Sequence, residues 1–128
     1  HILLQERFKD EAPSEEGLIE IPAGKIREFE NIYDCLRREI REETGLAVIE
    51  IAGESDAVLF ESNGYKVLSY EPFASSQNLA DNYPIMVQTF ICKVEGELAI
   101  STNETKHLRW VSLEELKKLL SSQEDQFY

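Results

Sequence analysis

The chain has 128 residues, and this length predicts a single domain over residues 1–128. Its 25 acidic and 13 basic side chains give a net charge of −12. This charge argues against binding to nucleic acid through the phosphate backbone, which requires clustered Lys and Arg. No apolar run approaches the roughly 18 residues of a membrane span, and no signal-peptide pattern is present, so we expect no membrane partner.

The cysteine pattern indicates a reducing compartment. Cys35 and Cys92 are far apart and fit no CxxC or Cys/His spacing. A disulfide framework and a zinc site are therefore excluded, and we expect a cytoplasmic protein. Both cysteines are interpreted as small buried hydrophobic side chains.

The first part of the chain predicts two short strands and a helix. The strands are expected at residues 1–8 and 18–21, with a charged loop between them. Asn31 is a suitable N-cap for a helix that continues to about Thr44. Gly45 then provides a left-handed C-cap.

The rest of the chain predicts more strands and a second helix. Strands are expected at residues 46–52, 57–61, 65–70, 84–94 and 107–111, and a polar loop at 71–83. Asn63-Gly64 is a strong hairpin signal. Ser112 starts the second helix, and Glu115 completes a capping box. Together these elements predict an α/β (α+β) fold, with a mixed β-sheet between two helices.

The first helix places carboxylates beside its predicted buried stripe of Ile32, Leu36 and Ile40. Glu43 falls inside this stripe, and Glu39 and Glu42 extend the acidic arc. Like charges at these spacings cost about 0.2–0.5 kcal/mol per pair, and the helix dipole adds about 0.3–1 kcal/mol per anion. A hard cation such as Mg²⁺ or Mn²⁺ would offset both penalties. The alternative is an ordinary solvated acidic face, with Arg38 pairing with Glu42.

A longer pattern includes this helix and the loop before it. Its fixed positions are Gly24, Glu30, Arg38, Glu39, Glu42, Glu43 and Gly45, with the aliphatic residues Ile40 and Leu46 in two further places. The spacing G-x5-E-x7-R-E-U-x-E-E-x-G-U, where U is aliphatic, resembles the signature of the Nudix hydrolase family (MutT-like). All nine specified positions match, and the pattern occupies residues 24–46.

The resemblance implies a Nudix-type α/β/α sandwich that binds Mg²⁺ or Mn²⁺ and hydrolyses a nucleoside diphosphate linked to another group. By position, it makes Glu39, Glu42 and Glu43 metal ligands, with the carbonyl of Gly24 as a further ligand. It makes Glu30 and Arg38 a structural ion pair that shapes the loop.

The general base is left open by the sequence. Family members differ in the carboxylate they use. The candidates are Glu39 and Glu43 inside the pattern and Glu104 and Asp81 outside it. The loop also departs from many members of the family, because Arg27 and Phe29 replace Glu and Gly before Glu30.

The substrate is only weakly indicated. The run Glu20 to Lys25 and the loop that follows Pro72 look faintly like ADP-ribose pyrophosphatases, although that subgroup's proline is missing at Glu61 and Ser62. ADP-ribose or a nucleotide sugar is therefore slightly favoured over a nucleoside triphosphate. A non-catalytic binding module and a homodimer also remain open. His107 and the aromatic residues Tyr65, Phe73, Tyr83 and Trp110 are interpreted as packing or surface residues.

Overall fold

A computed structural model describes residues 1–8, 13–80, 84–102 and 105–127. The chain divides into two compact units, one formed by His1–Ala47 and Gly96–Tyr128 and the other by Val48–Glu95. Within these ranges, the two helices longer than one turn belong to the first unit, and the strands are divided between the two units. The content of helices and strands confirms the expected α+β class.

The first unit contains a three-stranded sheet with the order β2-β1-β9. These strands are β1 (Ile2–Arg7), β2 (Ile19–Glu20) and β9 (Thr105–Val111). Both neighbours run antiparallel to β1, and the register with β9 shifts between Leu4 and Glu6. An isolated parallel bridge joins Ile19 to Phe127. The core of this unit is formed by Leu4, Ile19 and Val111.

The first helix, α1, spans Ile32–Thr44 and has both predicted caps. The side chain of Asn31 accepts a hydrogen bond of 2.8 Å from the backbone N–H of Tyr33. Gly45 has a φ of 77°, a left-handed conformation that glycine adopts without steric cost, and its N–H donates to the carbonyl of Arg41.

The buried face of α1 differs from the predicted stripe. Ile32, Leu36 and Ile40 are only half-buried. The buried positions are Tyr33, Cys35, Glu43 and Thr44, and of these Glu43 was predicted in the buried stripe. Two of these are polar. The hydroxyl of Thr44 is satisfied locally, because it donates to the carbonyl of Ile40 at 2.6 Å and accepts from the N–H of Leu46 at 3.1 Å. A helical wheel predicts burial from hydrophobicity alone, so it does not predict the burial of a polar side chain that forms hydrogen bonds.

The second helix, α2, spans Leu113–Ser122. Its predicted capping box is confirmed. The hydroxyl of Ser112 accepts from the N–H of Glu115 at 3.1 Å, and the carboxylate of Glu115 accepts from the N–H of Ser112 at 3.0 Å. Leu116 and Leu119 pack against the core of the first unit. Short 3₁₀ turns occur at Pro13–Glu15 and Glu124–Gln126.

The second unit contains three strand pairs. They are β3 (Ala47–Ile51) with β8 (Cys92–Glu95), β4 (Val58–Ser62) with β5 (Tyr65–Ser69), and β6 (Ala74–Gln77) with β7 (Met86–Thr89). The first residue of β3, Ala47, is the last residue of the segment His1–Ala47 of the first unit. A 3₁₀ turn spans Glu54–Asp56. Asn63 and Gly64 have φ angles of 49° and 82°, and these angles suit the tight turn of the predicted β4–β5 hairpin.

Two predictions in this unit were wrong. The segment 71–83, predicted as a loop, contains β6, and the single strand predicted over 84–94 is divided into β7 and β8. β6 was missed because its sequence is polar and lacks alternation. Its pairing depends on the backbone of β7 and on a 2.8 Å hydrogen bond from Ser75 to Gln88. Tyr83 lies outside the described residues.

Candidate active site

An ion pair joins the loop before α1 to the helix. Arg38 binds both carboxylate oxygens of Glu30, from Nε and from Nη2, each at 2.8 Å. The Nη2 atom also donates to the carbonyl of Lys25 at 3.0 Å. The carboxylate of Glu30 in turn accepts from the N–H of Arg27 at 3.1 Å. One guanidinium group therefore fixes both ends of the loop from Lys25 to Glu30.

The same ion pair shifts the ionisation of both partners. Hydrogen bonding to Arg38 lowers the pKa of Glu30 from 4.5 to about 2. The hydrogen bond to Glu30 in turn raises the pKa of Arg38. The neighbouring thiol of Cys35 has a raised pKa because it is buried. Glu30 and Arg38 are therefore both charged across the ordinary pH range, and Cys35 stays protonated.

Gly24 lies directly against the carboxyl group of Glu39. A β-carbon at position 24 would overlap the Cγ, Cδ and Oε2 atoms of Glu39. Glu39 also forms an ion pair of 2.5 Å with Nη1 of Arg38. The structure thus brings the loop backbone and a predicted ligand into contact, and only glycine leaves space for that contact.

Glu43 is an acidic residue in a buried position. Only 3% of its surface is exposed. Its Oε2 atom accepts from the N–H of Ala23 at 3.0 Å and from Nε2 of Gln5 at 3.3 Å. Its backbone carbonyl accepts from the hydroxyl of Thr105 at 3.1 Å. Burying a carboxylate is costly unless several donors or a cation compensate it.

Glu42 is the exposed member of the acidic group. Its side chain is 55% exposed and lies 3.4 Å from Nη1 of Arg38. This is the Arg38–Glu42 contact expected for an ordinary helix face, and an exposed pair of this kind contributes little to stability. Arg38 therefore contacts Glu30, Glu39 and Glu42 together.

The oxygen atoms at this end of α1 are the kind of ligands that hard divalent cations prefer. Glu39, Glu42 and Glu43 have oxygen donors at the i, i+3 and i+4 positions, so their β-carbons are neighbours on the helix, and Gly24 adds a close backbone segment. Among the residues that the structure describes, no three His, Cys, Asp or Glu side chains converge as a metal-binding group. Glu39 and Glu42 contact Arg38 in this arrangement.

Gln5 and Ala23 were missed by the sequence analysis, although both contact Glu43. Gln5 is a polar residue in an apolar run, which was an available signal. Leu3 and Leu4 beside it are also buried, so the alternation that would have indicated an inward-facing residue is absent. The Ala23 donor is a backbone group and has no sequence signal.

Other singled-out residues lie elsewhere. Glu104 and Asp81 fall outside the described residues. Phe29 is 99% exposed with a φ of 59°. His107 is exposed, and its Nδ1 lies 2.7 Å from Oε2 of Glu6. The remaining aromatic candidates in the described chain, Tyr65, Phe73 and Trp110, are 73%, 70% and 45% exposed.

The model of the NUDIX domain family matches residues 1–128. Among solved structures, the crystal structure of MutT protein from Methanosarcina mazei Go1 is similar in fold, with a TM-score of 0.54 and 24% identity over 98% of this chain and 73% of that chain. No curated protein matches the chain. None of the helices in the described ranges is long and apolar enough to cross a membrane.

The family match and the fold define a hydrolase of phosphoanhydrides, a class of enzymes that generally uses divalent metals and acts on small nucleotides. Since the family model covers the whole chain, the protein belongs to the NUDIX family. Its general activity is that of a pyrophosphohydrolase.

Proposed function

We propose that this Nudix hydrolase requires a divalent metal and cleaves the diphosphate linkage of a nucleoside diphosphate derivative, with ADP-ribose or a nucleotide sugar favoured. The observation that carries the proposal is the position of Glu43. It is a buried carboxylate in the last turn of α1, where the helix dipole disfavours an anion, and it is one residue from Glu42 and one turn from Glu39. A cation held by these oxygens offsets that cost.

In this proposal Glu39, Glu42 and Glu43 hold Mg²⁺ or Mn²⁺, and the carbonyl of Gly24 is a further ligand. When bound, the ion neutralises charge on the diphosphate and lowers the pKa of a coordinated water. Arg38 and Glu30 keep the loop closed over the helix, so that Gly24 stays against Glu39. The N–H of Ala23 orients the carboxylate of Glu43.

The general base is proposed from three carboxylates, Glu39, Glu43 and Glu104. The structure describes the first two, and they differ in surroundings. Glu39 is paired with Arg38, whereas Glu43 is buried and accepts hydrogen bonds from Gln5 and Ala23. The base removes the proton of the attacking water, and it must therefore be ionised before the reaction.

We further propose that the chain works as a single Nudix domain in the cytoplasm on a small nucleotide, with no nucleic acid or membrane partner. The net charge of −12 supports this proposal, because a basic surface for phosphate backbones would require the opposite balance. A homodimer remains compatible with the proposal.

The test is a hydrolysis screen over ADP-ribose, nucleotide sugars, dinucleoside polyphosphates and nucleoside triphosphates, with and without Mg²⁺. AMP together with a sugar phosphate is the expected product pair. A nucleoside monophosphate with pyrophosphate would instead identify a nucleoside triphosphate pyrophosphohydrolase. Substrate binding without turnover at any metal concentration would identify a non-catalytic module.

The metal site is tested in the same screen by Glu42→Gln. Because Glu42 is exposed, this variant is expected to fold and to lose most of its Mg²⁺-dependent turnover. Glu114→Gln is the matched control, since it removes the same charge from an exposed position on α2. Full activity of Glu42→Gln would contradict the assignment of Glu42 as a ligand.

A further inference from the structure

A chain of buried polar groups connects β1 to the acidic end of α1. Gln5 has no exposed surface. Its Nε2 atom donates to Oε1 of Glu20 at 3.1 Å and to Oε2 of Glu43 at 3.3 Å. Nη1 of Arg7 donates to the other oxygen of Glu20 at 3.1 Å. One side-chain amide therefore lies between two buried carboxylates.

The orientation of this amide is determined by charge. A flipped amide would turn its oxygen toward the carboxylates of Glu20 and Glu43, and the repulsion would be strong in a buried site. In the observed orientation both amide hydrogens are used. Oε1 of Gln5 is buried and accepts no hydrogen bond from the described residues. The two carboxylates thus determine the amide orientation, although the amide oxygen is left unsatisfied.

From this arrangement we infer that Gln5 is a positioning residue for Glu43, and the inference rests on the proposed function. Gln5 and the N–H of Ala23 both donate to the Oε2 atom of Glu43, so together they fix the plane of that carboxylate. Hydrogen-bond partners of metal-ligating carboxylates tune metal affinity, and their removal typically weakens binding or activity about 10–100-fold. Gln5 acts through Glu43 and does not contact the reacting atoms.

The principal test is Gln5→Met, which keeps the approximate length of the side chain and its unbranched Cβ and Cγ but removes both donors. Glu43 keeps the N–H of Ala23 and Glu20 keeps Arg7, so the variant is expected to fold. Mn²⁺ binding is measured by the loss of the free-ion electron paramagnetic resonance signal. We expect the dissociation constant to rise at least about tenfold.

The matched control is Leu3→Met, which introduces the same side chain at a buried apolar position of β1. It is expected to bind Mn²⁺ within about twofold of the wild type, because volume-conserving apolar exchanges are well tolerated. A folded Gln5→Met variant that binds Mn²⁺ as tightly as this control would overturn the inference. Failure of the wild type itself to bind Mn²⁺ would instead contradict the proposed function.

A second measurement needs no substitution. In ¹⁵N-labelled wild type, Mg²⁺ is expected to shift the side-chain amide resonances of Gln5, because the carboxylate that accepts those hydrogens becomes a ligand. The half-buried side chain of Gln88, which accepts a hydrogen bond from Ser75 in the β6–β7 pair, is the reference within the same sample. Unchanged Gln5 resonances, together with a shift of the Glu43 backbone amide, would contradict the positioning role even if Gln5→Met does not fold.

Discussion

Phe29 occupies a strained position in the loop that precedes α1. It is the third residue of a turn closed by a 3.1 Å hydrogen bond from the N–H of Glu30 to the carbonyl of Arg27. Its φ of 59° is left-handed, a conformation that costs a residue with a β-carbon about 1–2 kcal/mol. Since its side chain is 99% exposed, packing does not offset this cost.

Phe29→Gly is therefore expected to stabilise the protein. Glycine relieves the strain, but it loses more conformational entropy on folding, and this loss lowers the stability by about 0.5–1 kcal/mol. The net gain is about 0.5–1 kcal/mol. With an unfolding entropy of about 2.1 cal/mol/K per residue, this gain raises the Tm by about 2–4 °C.

Thermal unfolding followed by circular dichroism measures this shift. Ile26→Gly is the matched control, because Ile26 is an exposed apolar residue of the same loop that does not have a positive φ. Glycine there adds its entropic cost, removes the buried half of an apolar side chain and relieves no strain, so the Tm should fall. A decrease of the Tm in Phe29→Gly would refute the reasoning and would mean that the phenyl ring makes a stabilising contact.

Further predictions concern the loop and the helix caps. Gly24→Ala is expected to lower kcat/KM at least about tenfold with the fold retained, because the new β-carbon overlaps the carboxyl group of Glu39. Wild-type activity would contradict this. Since the pKa of Glu30 is lowered in the folded state, its ion pair with Arg38 stabilises the protein above about pH 4.5, and the stabilisation is lost as the pH falls toward 2. The difference in unfolding free energy between wild type and Glu30→Gln should therefore shrink over that interval in urea titrations, and a constant difference would argue against the shift. Ser112→Ala removes the α2 cap and should lower the Tm by about 4 °C, corresponding to about 1 kcal/mol. An unchanged Tm would show that the cap contributes nothing.

Local signals predicted the elements that local chemistry determines. Asn31 and Gly45 indicated the ends of α1, and Asn63-Gly64 indicated the hairpin, because caps and tight turns depend on a few adjacent residues. β6 was missed since its strand depends on a partner distant in sequence. The same limit applies to the division between β7 and β8, which was predicted as one strand over residues 84–94.

The candidate site shows the same limit at the level of side chains. The spacing of the acidic residues indicated which side chains share the end of α1, and the structure brings Glu30 and Arg38 together. Spacing also placed Glu43 in the buried stripe, and it is buried in the structure, but spacing did not show that Gln5 contacts it. Those contacts join β1 to α1 across the fold, and no periodicity within one segment encodes them.

The most direct test of the central claim is a crystal structure of the protein grown with Mn²⁺, with anomalous scattering used to locate the ion. If these carboxylates are the ligands, an anomalous peak is expected at about 2.0–2.3 Å from carboxylate oxygens of Glu39, Glu42 and Glu43. A peak bound elsewhere in a crystal whose protein is active with Mn²⁺, or no peak at a saturating concentration, would contradict it.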